Sequence, residues 1–251
     1  MQKTVLITGA SSGIGKALAI KYADKVENLL LLGRNEQRLQ EVKNLCQRDN
    51  LNIEIAAIDV SDKVALEAKI LELDAKYNID LVYANAGVSG GTSIHEINNP
   101  QQFDEVVDTN IKGVFATVNP LIPKMIERKS GQIVLLSSLA GFVGMPSAVA
   151  YSVSKVTVKA YGDAIRPLLR DYGIKVSTIF PGFIRTPMTD VNQFEMPMLM
   201  EVEQAADIII KNVAKCRAYI AFPCPMYFIV RALSLLPYFM RDFIFRLLPE
   251  K

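Results

Sequence analysis

Short apolar runs recur along the chain at residues 4–8, 29–32, 53–58, 80–84, 132–137, 175–180 and 218–222. Val, Ile and Leu dominate them, and most run almost unbroken by polar residues. Between most of them lie longer stretches with helical spacing, such as Ala17, Ile20 and Tyr22–Ala23 in the first. Strands apolar on both faces, separated by amphipathic helices, predict a sheet covered on each side by helices. Right-handed crossovers then give a doubly wound α/β domain with a seven-stranded, mainly parallel sheet. Its ligand crevice should open at the carboxyl ends of the strands.

No internal repeat, low-complexity tract or Pro/Gly/Ser linker divides the chain, so one catalytic-sized domain is expected over residues 1–222. Residues 223–251 fit that pattern least well. They are strongly apolar, interrupted by Arg231, Arg241, Asp242 and Arg246, with prolines at 225 and 237. Their apolar segments are too brief to span a bilayer, which needs ~20 residues. At helical spacing Arg231, Ser234, Tyr238, Asp242 and Arg246 share a narrow face opposite a broad apolar one, and Pro237 would kink or divide the helix. Three places suit such a tail: over a ligand cleft, between subunits, or on a membrane surface.

A chain of 251 residues that is half hydrophobic can bury one substantial core. A net charge of +2 without a Lys/Arg block gives no nucleic-acid surface. Cys46, Cys216 and Cys224 lack metal-ligand spacing and form no disulfide framework, so they read as small buried hydrophobes in a reducing compartment. The only histidine, His95, stands in a polar loop and is assigned no role. Met1–Thr4 leads straight into an apolar strand without the pattern of a cleaved signal, so a cytoplasmic protein is expected, with peripheral membrane contact left to residues 223–251.

The first strand ends in Thr8-Gly9-Ala10-Ser11-Ser12-Gly13-Ile14-Gly15 and a helix follows. A glycine-rich turn in that place lets backbone N–H groups approach a pyrophosphate at a helix N-terminus. Further on, Tyr151 and Lys155 are spaced to project from one helix face, one turn apart. A lysine ammonium a few ångströms away, together with a cationic oxidised nicotinamide, favours the phenolate, so the pair predicts a tyrosine of lowered pKa able to exchange protons near neutral pH.

These residues resemble the short-chain dehydrogenase/reductase family, and other motifs follow in the family's order over residues 3–222. They are Asp59-Val60, Asn85-Ala86-Gly87, Asn110, Ser138, Tyr151-x-x-x-Lys155 and Pro181-Gly182-Phe183-Ile184-Arg185-Thr186. The resemblance implies a Rossmann domain that moves a hydride between a nicotinamide and a carbonyl or alcohol, commonly as a homodimer or homotetramer. It implies Tyr151 as acid/base and Ser138 as the donor that polarises the substrate oxygen. Lys155 would hold the nicotinamide ribose hydroxyls, and Asn110 a water that relays protons. Gly9, Ser11, Ser12, Gly13, Ile14 and Gly15 would form the cofactor turn. Asp59 would meet the adenine, and Val60, with Asn85, Ala86 and Gly87 as the family's NAG element, would belong to the cofactor site. Pro181, Gly182, Ile184 and Thr186 would stand near the nicotinamide, Thr186 at its carboxamide. No metal site is implied.

The second strand ends at Gly33-Arg34, where an NAD-specific site normally has an acid. Arg34 can pair with a 2′-phosphate, which favours NADP(H) over NAD(H). Residues 187–200 are rich in Met, contain Phe194 and lack Lys or Arg, which suits a small apolar carbonyl or alcohol substrate. The rival reading, a dinucleotide-binding sensor or membrane-peripheral scaffold on the same fold, predicts a damaged catalytic set. All four positions are filled.

Overall fold

In chain order the elements are β1 (Thr4–Thr8), α1 (Gly13–Tyr22), β2 (Asn28–Gly33), α2 (Glu36–Cys46), β3 (Asn52–Ala57), α3 (Lys63–Tyr77) and β4 (Leu81–Ala84). There follow α4 (Pro100–Val107), α5 (Gly113–Val118), α6 (Leu121–Arg128), β5 (Gly131–Leu136), α7 (Val149–Arg170) and β6 (Ile174–Pro181). The last are α8 (Val202–Val213), β7 (Tyr219–Phe222), α9 (Cys224–Leu235) and α10 (Tyr238–Phe245). These come from a computed structural model that describes residues 3–91, 99–192 and 194–247; His95 lies outside them. Each strand matches its apolar run to within one residue at either end.

Alternate strand residues feed opposite cores, as the period of an extended chain requires. Val5 and Ile7 of β1 join Leu29 and Leu31 of β2 under α1, α2 and α8. Leu6, Leu30 and Leu32 point the other way, into the layer built from α3, α5, α6 and α7. Apolar demand on both faces explains why the runs are nearly continuous.

The sheet order is β3-β2-β1-β4-β5-β6-β7 and every pairing is parallel. Winding therefore reverses between β1 and β4, and the crevice opens past their carboxyl ends. Thr8 ties the two strands together there. Its hydroxyl donates to the Tyr83 carbonyl and accepts from the N–H groups of Asn85 and Ala86.

Of the two outcomes expected at Pro237, a kinked helix or a divided one, the tail shows the second. Leu236 and Pro237 are both extended, so α9 and α10 are separate and the expected polar stripe is interrupted. A residue before proline is pushed out of the helical region, which ends α9 there. The inner side of α9 packs down: Met226 clusters with Leu139 and Phe180, and Val230 and Tyr227 lie against them. The Arg231 guanidinium lies 5.3 Å from the Phe142 ring. Of the cysteines, only Cys46 is buried; Cys216, in the turn after α8, and Cys224, at the start of α9, are exposed, contrary to expectation.

The base of β4 rests on an ion pair. Asp74 is buried and accepts from both terminal guanidinium nitrogens of Arg128, at 2.8 and 3.0 Å, and from the Ile79 N–H at 2.9 Å. Arg128→Ala leaves a carboxylate buried without its partner, and urea unfolding should show a loss of ~3 kcal/mol. A loss under about 0.5 kcal/mol would mean that water replaces the arginine freely.

Candidate active site

The glycine turn meets the requirements of a phosphate cradle. Gly9 and Gly13 hold positive φ angles, +66° and +51°, which side chains rarely adopt. Ser12 is the N-cap of α1 but makes no side-chain capping bond, which leaves N–H groups of the first turn for an anionic ligand. A Cβ at Gly15 would stand 2.2 Å from the Gly9 carbonyl oxygen, so Gly15 serves the close packing of helix on turn. It does not line the cleft, whereas Gly9, Ser11, Ser12, Gly13 and Ile14 do.

Beyond the turn, the cleft runs between Arg34, Asp59 and Val60 at one end and Pro181, Gly182, Ile184 and Thr186 at the other. Asn85, Ala86 and Gly87 form its middle. The Asn85 amide donates to the carbonyls of Thr8 and Gly9, clamping the turn to the end of β4. Arg34 stands 3.8 Å from Asp59, with both side chains well exposed, so this pair contributes little and leaves the guanidinium open to an anion. Arg38 lines the same end, one helical turn after Arg34. Asn35 caps α2 by accepting from the Arg38 N–H at 2.8 Å, which sets both arginines at the cleft. The donors, the glycine turn and the paired cations together fit an extended dinucleotide.

The other end is built by β5 and α7. The buried Ser137 hydroxyl donates to the Lys155 carbonyl at 2.8 Å and so locks the helix to the strand end. Ser138 and Tyr151 both face the cleft, and the Ser138 hydroxyl donates to the Pro181 carbonyl at 3.4 Å and accepts from the Ala140 N–H at 3.2 Å. The Lys155 Nζ donates to the Leu136 carbonyl at 2.9 Å and lies 5.4 Å from the centre of the Tyr151 ring. Ser154 accepts from Asn110 at 3.0 Å and donates back to the Tyr151 carbonyl at 2.7 Å.

Asn110 sits in a π-helical segment, Asp108–Lys112, between α4 and α5. Such bulges re-aim a side chain within a helix. Here the amide is fully buried, accepting from the Val88 N–H at 2.8 Å and donating to the Val88 carbonyl at 2.9 Å. It lies behind Gly87 and not in the cleft, where it fixes loop and helix in register.

The electrostatics of Tyr151 and Lys155 are set by burial. Burial raises the Tyr151 pKa, and the hydrogen bond with Ser138 opposes it only in part. Burial also lowers Lys155 to about 8. Desolvation outweighs attraction because the amine is itself withdrawn from water and engaged by a carbonyl. The phenol is therefore held protonated at neutral pH.

A second cavity of about 600 Å³ adjoins the cleft and shares Ser138, Tyr151, Gly182, Met188 and Thr189 with it. Its other walls include Leu139, Val143, Phe183, Phe194 and, from α9, Met226 and Val230. Among the described lining residues Glu195 alone carries a charge. Sequence reasoning missed Arg38, Ser154 and Thr189. Arg38 was legible as a second cation one turn beyond Arg34. Thr189 bonds the Ile184 carbonyl and Thr186 N–H and so shapes the cleft wall, and nothing in its surroundings announces that.

Residues 3–196 match the family model described as short chain dehydrogenase. A protein of Myxococcus xanthus named an uncharacterized oxidoreductase is 36% identical over 236 residues, covering 94% of this chain and 93% of that protein. A short-chain dehydrogenase from Sphingobium yanoikuyae in complex with NADPH superposes with a TM-score of 0.81 at 24% identity, over 88% of each chain. One from Mycobacterium paratuberculosis bound to NAD gives 0.77 at 26%, over 87% of this chain and 95% of that one.

A buried amine carries a stability cost with a definite sign. The solvated group titrates at 10.5 and the folded one at about 8, so between these values the unfolded chain holds more protons and stability rises with pH. Below pH 8 the penalty is ~3 kcal/mol, of which the bond to the Leu136 carbonyl offsets ~1 kcal/mol. Lys155→Met should therefore be about 2 kcal/mol more stable at pH 7, raising Tm by roughly 4–8 °C. The advantage should shrink towards pH 10. A variant less stable at pH 7 would contradict the desolvated amine.

Proposed function

This chain belongs to the short-chain dehydrogenase family and is an NAD(P)-dependent oxidoreductase, and we propose that it reduces apolar ketones or aldehydes with NADPH, or oxidises the corresponding alcohols, secondary ones in the case of ketones. One observation carries this reading: the dinucleotide-shaped cleft and the apolar cavity meet at Ser138 and Tyr151. A carbonyl seated in the cavity has its reacting oxygen at those two hydroxyls.

When bound, a nicotinamide cofactor supplies the hydride. The chain's own residues do the rest. Arg34 and Arg38 would take the 2′-phosphate at one end of the cleft, and Lys155 would hold the ribose hydroxyls at the other. Ser138 donates a hydrogen bond to the carbonyl oxygen and stabilises the negative charge that grows there. Tyr151 gives its proton to that oxygen, for which the phenol must be protonated when the hydride arrives. For alcohol oxidation the phenolate is needed, so that direction should gain as pH rises.

The cavity sets the substrate class. Its walls offer apolar contact and the Glu195 carboxylate disfavours anionic substrates, so neutral aryl and alkyl ketones should be preferred over keto acids.

Steady-state kinetics with NADPH and NADH on both kinds of carbonyl test this. NADPH should be preferred, and the double change Arg34→Ala/Arg38→Ala should lower kcat/KM for NADPH by roughly 10–100-fold with little change for NADH. A wild-type preference for NADH would overturn the role of the arginines. A preference for keto acids would overturn the substrate class.

A further inference from the structure

Helix α9 has two unlike sides. Met226 and Val230 form a wall of the apolar cavity, while Phe228, Ile229 and Leu235 are exposed on the side away from it. Helix α10 continues the exposed surface and buries no residue at all. Its Phe239 and Phe243, one turn apart, are 74% and 66% exposed, and Leu247 in the turn just after it is 71% exposed. A run of large bare side chains over two successive helices is unusual for a surface meant to face water alone.

Charge selects what covers it. The segment carries Arg231, Arg241 and Arg246 against Asp242. Among the described residues none of these arginines pairs with a carboxylate. Instead Arg231 lies over the Phe142 ring, and Arg241 stands 4.4 Å from the ring centre of Tyr238. A two-fold contact with a second copy would set this net positive face against itself. An anionic headgroup layer offers the opposite charge, with acyl chains beneath for Phe and Leu. Twelve- and eight-residue helices cannot cross a bilayer, and no described helix is long and apolar enough to do so. They can lie in its surface.

We propose that the outer face of α9 and α10 docks this protein on anionic lipid bilayers. Because α9 also walls the apolar cavity, docking would place that cavity beside the lipid phase. The cavity's placement beside lipid rests on the substrate reading above; the docking does not.

Co-sedimentation with phosphatidylcholine vesicles, with and without phosphatidylglycerol, tests it on the full chain without turnover. Binding should need the anionic lipid and fall with added salt. Phe239→Glu/Phe243→Glu should lose at least about tenfold in partitioning, with an unchanged thermal melt, since neither side chain is buried. Arg241→Gln should lose about fivefold. Absence of binding to either vesicle would overturn the proposal. So would a double variant that binds vesicles as before but shifts the oligomer size in ultracentrifugation, which would assign the face to a second copy.

Discussion

The hydrogen bond from the Lys155 amine to the Leu136 carbonyl joins the helix that carries Tyr151 to the end of the strand that carries Ser138. It is made by a charged group under cover, with the reciprocal bond from Ser137 to the Lys155 carbonyl beside it. Two chain segments are thereby held at fixed distance across the floor of the crevice. The cost is a lysine kept out of water, and a fold optimised for stability alone would place an apolar side chain there.

Around that bond, the polar groups that face no ligand do positioning work. Asn110, Ser154 and the Tyr151 carbonyl form a buried relay that ties the loop after β4 to α7. Asn85 and Thr8 do the same for the loop and the glycine turn. A dinucleotide would thus meet a surface whose separate pieces are already cross-linked, so that little ordering remains to oppose binding. The apolar cavity is less constrained. Much of its wall comes from loops, with α7 contributing Tyr151 and α9 Met226 and Val230, and the outer side of α9 is bare.

The strands were legible because burial on both faces forces near-continuous Val, Ile and Leu, a demand no surface element shares. The glycine turn and the Tyr151–Lys155 spacing were legible because each needs particular residue types at fixed separations. The electrostatics were not. Whether an ammonium lowers a neighbouring phenol depends on how much water each has lost, and spacing along a helix says nothing of that. Asn110 was found, yet its place behind Gly87 depends on a π-helical bulge that no residue pattern signals. The tail was ambiguous because its amphipathic pattern suits several partners. The structure shows its first helix over the cavity and leaves the second uncovered.

The most direct test of the central claim is the pH dependence of single-turnover ketone reduction in the wild-type protein and in Tyr151→Phe. A protonated phenol as the acid predicts a wild-type rate that holds through neutral pH and falls only in alkali. It also predicts a Tyr151→Phe rate lower by ~10²–10⁴-fold with NADPH still bound. A phenylalanine variant that turns over within a few-fold of wild type, with the same pH profile, would contradict it.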